Sequence, residues 1–81
     1  MRILVYTKTK CPWAQDVLAF LTLHRLPFVE KDMYVKEEYK RECLNKTGQW
    51  KSPTVDIDGH LIPDTDPKQV GEYLKSKGLI K

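Results

Sequence analysis

Hydrophobic positions along this chain fall into seven runs whose periods alternate between two and about 3.6 residues. Arg2 to Thr7 contains Ile3-Leu4-Val5-Tyr6, apolar on both faces, as a central strand covered on two sides requires. Pro12 opens the next run, and proline suits a first helical position because the N–H it lacks would be unpaired there anyway. Val17, Leu18, Phe20, Leu21, Leu23 and His24 then keep helical spacing until Leu26-Pro27 ends it. Pro27 to Met33 alternates well enough for a second strand. Val35 to Thr47 predicts a second amphipathic helix, with Tyr39, Cys43 and Leu44 on its buried face and Gly48 as its stop. Pro53 to Ile57 alternates as a third strand, Asp58-Gly59 is a strong hairpin turn, and His60-Leu61-Ile62 returns as a fourth strand. Asp66-Pro67 pairs a cap with a proline at the first helical position. It opens a last helix running through Lys77 and closed by Gly78.

The predicted order is β-α-β-α-β-β-α. The first βαβ unit demands a parallel pair with a right-handed crossover, and the hairpin adds an antiparallel pair. This gives an α/β domain with a four-stranded mixed sheet and three helices, the minimal thioredoxin-fold arrangement. Eighty-one residues hold one domain, 1–81, and a modest core.

Composition narrows the function classes. The longest apolar run, Val17 to Leu23, is interrupted by Thr22 and is too short to cross a bilayer, and Arg2 with the four apolar residues after it does not read as a signal peptide. These features lead us to expect a soluble, cytoplasmic protein with no membrane partner. Net charge is +3, from 14 basic and 11 acidic side chains. The two signs interleave, as in Lys36-Glu37-Glu38-Tyr39-Lys40-Arg41-Glu42. That pattern marks a solvated face, whereas a nucleic-acid surface needs segregated charge.

Cys11 and Cys43 lie 32 positions apart. With no secretory segment they do not read as a stapling disulfide. His24 and His60 complete four ligands only on paper, since no two of the four sit at a zinc-like spacing, so no metal is expected. The two histidines are assigned no role. Cys43 is read as core filler on the apolar face of the second helix.

Cys11 is different. It stands between a strand end and a helix start, among Lys8, Thr9 and Lys10. A helix N-terminus carries partial positive charge and unpaired N–H groups, and both favour a thiolate, which is the nucleophilic form of cysteine. Cys11 is therefore the candidate catalytic residue.

The segment Tyr6-Thr7-Lys8-Thr9-Lys10-Cys11-Pro12-Trp13 resembles the active-site segment of the glutaredoxin family, usually Y-T-K-x-x-C-P-Y-C. Gly48-Gln49-Trp50-Lys51-Ser52-Pro53-Thr54-Val55 is similar to that family's G-x-x-T-V-P-T-V segment. Ile62-Pro63-Asp64-Thr65-Asp66 takes the place of its I-G-G-C/S-D segment. The resemblance spans essentially the whole chain. It implies a cis peptide before Pro53 beside the reactive sulfur, and main-chain pairing of Ser52 with the cysteinyl part of glutathione. It also implies that Lys8 and Gln49 hold the glycine carboxylate. Thr65, through its backbone N–H, and Asp66, through its carboxylate, would receive the γ-glutamyl end, while Pro12 and Trp13 flank the site. Asp66 reads equally well as a plain N-cap, and the two roles are compatible. Trp50, next to the proline loop, is either packed structurally or part of a surface for a protein substrate.

Three departures stand out. Ala14 occupies the place of the resolving cysteine of dithiol members, natively or as an engineered replacement, so no disulfide can close across C-x-x-C. Pro63-Asp64 replaces a Gly-Gly pair and adds a carboxylate near one of glutathione's own. Trp13 replaces a tyrosine. The resemblance thus implies a monomeric, glutathione-dependent thiol–disulfide oxidoreductase of monothiol type, with glutathione as co-substrate and disulfide-containing proteins as partners. One alternative is an electron carrier to a dedicated partner enzyme. The other is a non-enzymatic module, either an iron–sulfur carrier or a redox-silent binding domain. Cluster-carrying monothiol members usually have C-G-F-S, which Cys11-Pro12-Trp13-Ala14 is not.

Overall fold

A computed structural model describes all residues, 1–81. The elements run β1 (Ile3–Thr7), α1 (Pro12–Leu23), β2 (Val29–Asp32), α2 (Glu37–Thr47), β3 (Thr54–Ile57), β4 (His60–Ile62) and α3 (Pro67–Ser76). The sheet order is β2-β1-β3-β4, with β1 parallel to β2 and antiparallel to β3, and β3 antiparallel to β4. Every residue of β1 is buried, which follows from its unbroken apolar run and its inner place in the sheet.

The two faces of the sheet are packed differently. Ile3, Val5, Val55 and Ile57 meet Val17 and Leu21 of α1 and Val70 and Leu74 of α3 in the larger core. Leu4 and Tyr6 face the other way, against Met33 and Cys43, with Tyr39 and Trp50 packed around them. On the larger face Phe20 of α1 lies against α3 at Gly71, where a Cβ would come within 3.1 Å of the ring's Cζ. None of the helices is long and apolar enough to cross a membrane.

The smaller face carries a polar chain. Lys31 donates to Glu42 Oε1 at 2.7 Å, and the Tyr6 hydroxyl donates to the same oxygen at 3.0 Å. Lys46 Nζ donates to the Tyr6 hydroxyl and to Asp56 Oδ2, both at 2.7 Å. Burial holds the Tyr6 phenol above its ordinary pKa, although the hydrogen bond from Lys46 pulls the other way. The Lys31 hydrogen bond brings the Glu42 carboxyl below the usual glutamate value. Burial alone would lower the Lys46 ammonium, but its hydrogen bonds to Asp56 and Tyr6 outweigh that and leave it raised. The mixed charges of α2 are therefore not a uniformly solvated face, because Glu42 and Lys46, four residues apart, both reach the Tyr6 hydroxyl.

Several boundaries differ from the sequence reading. Helix α1 stops at Leu23, because Arg25 turns left-handed at φ 57° two residues before Pro27. Strand β2 is shorter than Pro27–Met33. Pro27 has no N–H for a ladder, and the Asp32 carboxylate captures the Tyr34 N–H at 2.9 Å to start a turn. Helix α2 begins at Glu37, since Lys36 is still extended. Leu44 and Leu23 are exposed rather than buried.

Candidate active site

Three loops converge at the C-terminal end of β1. The first, Lys8–Cys11, runs from β1 into α1, turning through Lys10 at φ 63°. The second, Lys51–Pro53, precedes β3, and its Ser52–Pro53 peptide is cis. The third, Pro63–Asp66, links β4 to α3. Hydrogen bonds tie them pairwise. The Lys8 N–H donates to Ser52 Oγ at 3.0 Å, and the Thr65 N–H donates to the Pro53 carbonyl at 2.9 Å. The serine hydroxyl thus links the nucleophile loop to the proline loop.

Cys11 is the N-cap of α1, with extended backbone and no side-chain bond to the helix. Its carbonyl accepts from the Gln15 N–H, starting the helix at 3.1 Å, while Pro12 takes the first helical position. The sulfur is half-buried and its thiol points at the Ser52 carbonyl, 3.8 Å away. Cys43 is fully buried on the opposite face of the sheet from α1 and α3, and both cysteines are free. Ala14, one turn into α1, is also fully buried.

Beside Cys11 a cleft of about 380 Å³ is lined by Trp13, Ser52, Pro53, Asp64, Thr65 and Asp66. Trp13 is exposed. Asp66 caps α3 through Oδ1, which accepts from the Gln69 N–H at 2.8 Å. Asp64 adopts φ 49°, a left-handed conformation that Asp tolerates better than most residues and that glycine takes without cost. The chain's two ion pairs, Lys31–Glu42 and Lys46–Asp56, lie in the polar network and leave Asp64 and Asp66 outside it.

The basic side of the site lies across the nucleophile loop. The Lys8 ammonium sits 3.9 Å from the centre of the Trp50 ring, and Lys40 is 4.0 Å from the same ring. Tyr34 meets Trp50 edge-on at 6.2 Å. Trp50 packs on the smaller core, as the structural reading has it, and carries two lysines on its ring beside the site.

Of the sequence candidates, Trp13, Ser52, Pro53, Thr65 and Asp66 line the cleft, with Cys11 joined to it through Ser52. Pro12 is exposed at the start of α1, and Lys8 lies over Trp50. Gln49 is exposed outside the cleft, in the turn after α2, where its N–H bonds Thr47 Oγ1 at 3.2 Å. The Thr65 N–H, assigned by resemblance to a ligand, is instead spent on Pro53. Sequence reasoning missed the Ser52 hydroxyl as a loop tie and Lys40 as a partner of Trp50. Neither has a local signal, since each depends on a residue brought in from elsewhere in the chain.

Residues 3–62, from β1 through β4, match the glutaredoxin family. The chain belongs to the glutaredoxin family. Among solved structures, the thioredoxin-like protein BC3987 is 26% identical with a TM-score of 0.80, the match covering 86% of this chain and 96% of that one. The glutaredoxin-like NrdH-redoxin from Escherichia coli is 19% identical with a TM-score of 0.74, covering 89% and 93%. A buckwheat glutaredoxin solved with glutathione is 20% identical with a TM-score of 0.71, covering 93% and 69%. No curated protein sequence matches the chain. The family and fold make this glutaredoxin a thiol–disulfide oxidoreductase in kind. The matched span holds Cys11 and Pro53 but ends before the Asp64–Asp66 loop.

Proposed function

We propose that this glutaredoxin exchanges disulfides by a monothiol route, with Cys11 as its nucleophile and glutathione as co-substrate. The observation that carries the reading is the sulfur's place: half-buried at the N-cap of α1, beside an open cleft, with buried Ala14 where a second sulfur would stand. The Cys11 thiolate attacks the glutathionyl sulfur of a mixed disulfide. A new S–S bond forms on Cys11 as the old one breaks, and the other half leaves as a thiolate. A second glutathione then attacks the adduct, leaves as oxidised glutathione and frees Cys11. The cycle needs no other cysteine of the chain. Cys43, fully buried on the far face of the sheet, is the core residue its sequence position suggested. A reducing cytoplasm, where thiols persist, is the compartment that suits this chemistry.

The test is treatment with oxidised glutathione followed by intact-mass measurement. We expect one glutathione adduct per chain, on Cys11, lost on adding reduced thiol. An internal Cys11–Cys43 bridge without adduct would overturn the monothiol route.

A second reading has its own observation. Trp50, with Lys8 and Lys40 over its ring and exposed Tyr34 beside it, forms an aromatic and basic wall near Cys11 suited to a protein surface. In that reading the glutaredoxin passes electrons to a partner enzyme, as a redoxin would. Turnover of a protein disulfide with negligible turnover of glutathione mixed disulfides would favour it.

A further inference from the structure

Lys8 and Lys40 are gathered over Trp50 on the α2 side. On the α3 side the cleft presents the carboxylates of Asp64 and Asp66, neither engaged in an ion pair, and the indole of Trp13, 66% exposed. We propose that Asp64 is a specificity-determining residue. With Asp66 and Trp13, it favours disulfides that carry a cationic group on the side facing α3. The inference rests on Cys11 being the exchanging nucleophile, which places the cleft at the reacting sulfur independently of the two carboxylates.

Three physical features support it. A carboxylate pair engaged in no ion pair of the chain attracts an ammonium or guanidinium and repels another carboxylate. The exposed indole offers the same cation an aromatic face. Asp66 is partly committed, because its Oδ1 accepts from the Gln69 N–H at the α3 N-cap and its Oδ2 from the Gln69 side-chain amide, so Asp64 is the carboxylate with none of its capacity used within the chain. A γ-glutamyl group brings an ammonium and a carboxylate on one carbon, so in this cleft attraction and repulsion offset each other. A group with ammonium alone meets attraction only. Discrimination therefore comes as much from what Asp64 rejects as from what it binds.

The chemistry of the step is ordinary exchange. The Cys11 thiolate forms a bond to one sulfur of the cationic disulfide, the substrate's S–S bond breaks, and the other half leaves as a thiolate. One disulfide is consumed and one formed.

The experiment measures single-turnover loss of the Cys11 thiol at neutral pH. The probes are cystamine (cationic), bis(2-hydroxyethyl) disulfide (neutral) and oxidised glutathione (net anionic). Each rate is divided by that of 2-mercaptoethanol, an uncharged thiol, under the same conditions to remove intrinsic reactivity. The normalised rate expected is highest for cystamine, with the neutral disulfide and glutathione disulfide both below it. Asp64 accounts for about two- to fivefold of the cystamine-to-neutral ratio, the scale of one exposed ion pair. The preference should shrink in about 1 M salt, where the screening length is about 3 Å. In Asp64→Asn the ratio should fall by that factor, and asparagine keeps a side chain that tolerates the left-handed backbone.

A further pair of probes, peptide mixed disulfides with lysine or glutamate beside the cysteine, separates the sources of the cation. Preference for cystamine alone points to small aminothiols, and preference for the lysine peptide points to protein disulfides. Equal normalised rates for cystamine and the neutral disulfide would overturn the inference, as would a ratio unchanged in Asp64→Asn. Failure of Cys11 to react even with the neutral disulfide would instead sink the nucleophile assignment beneath it.

Discussion

Replacing Tyr6 by phenylalanine removes a single oxygen from the centre of the Lys31–Glu42–Tyr6–Lys46–Asp56 chain. Tyr6 is fully buried, so its ring packing is retained while two hydrogen bonds are lost, one to Glu42 and one from Lys46. Both partners keep a second contact, Glu42 with Lys31 and Lys46 with Asp56. Their side chains are 35% and 32% exposed, so water can partly replace the missing hydroxyl. That brings each bond below the range for charged partners, to about 1 kcal/mol as for an ordinary hydrogen bond, and the pair to about 2 kcal/mol. For a domain of this size, about 4–8 °C of melting temperature accompanies each kcal/mol, so Tyr6→Phe should melt about 8–16 °C lower. Circular dichroism melts of both proteins at neutral pH would measure it. A fall of less than about 2 °C, well under the shift for a single kcal/mol, would show that the hydroxyl is energetically idle.

The same network sets the pH limits of stability. Glu42 is held below its ordinary value, so its contribution is present above about pH 4.5 and is lost as pH falls through the lower folded value; Tyr6 and Lys46 are raised, so theirs is present below about pH 10 and is lost as pH climbs past it. Urea midpoints across pH should show a lower and flatter profile in Tyr6→Phe, with smaller losses at both ends, and identical profiles would refute the assignment. Asp66→Ala should cost about 1 kcal/mol through loss of the α3 cap, whereas Asp66→Asn should cost much less, because asparagine caps as well. Equal losses in thermal melts would point to a role other than capping. Brief iodoacetamide labelling of the native protein should modify Cys11 and spare buried Cys43. Peptide mapping that found Cys43 labelled first would reverse the site.

The order of elements was legible because each carries its own signal: the unbroken Ile3–Tyr6 run, Pro12 and Pro67 at helix starts, Gly48 and Gly78 at helix ends, and the Asp58-Gly59 turn. Cys11 was legible for the same reason, since strand, cysteine, proline and helix are consecutive. Strand β2 and the start of α2 were read too long, because one local and one tertiary hydrogen bond shape the turn between them. Asp32 claims the Tyr34 N–H, and Met33 donates to the Thr7 carbonyl at 2.7 Å. Glu42 and Lys46 looked like surface charge, and only the position of Tyr6 in β1 shows that they share a hydroxyl. In the site, loop contacts such as Lys8 to Ser52 join positions 44 apart, a pairing to which no local pattern is sensitive.

Cys11 and Asp66 are the N-caps of two helices that lie on the same face of the sheet and touch at Phe20 and Gly71. The nucleophile and the far wall of its cleft are thus mounted on two beams, and the joint between the beams lies well along both. A Cβ at position 71 would crowd the tip of the phenyl ring, which must give by a few tenths of an ångström, and a bulkier side chain would press on the joint further. A substitution remote from every reacting atom would then act as a spacer wherever its bulk exceeds what the ring can yield, opening the jaw that grips the substrate without altering any tooth.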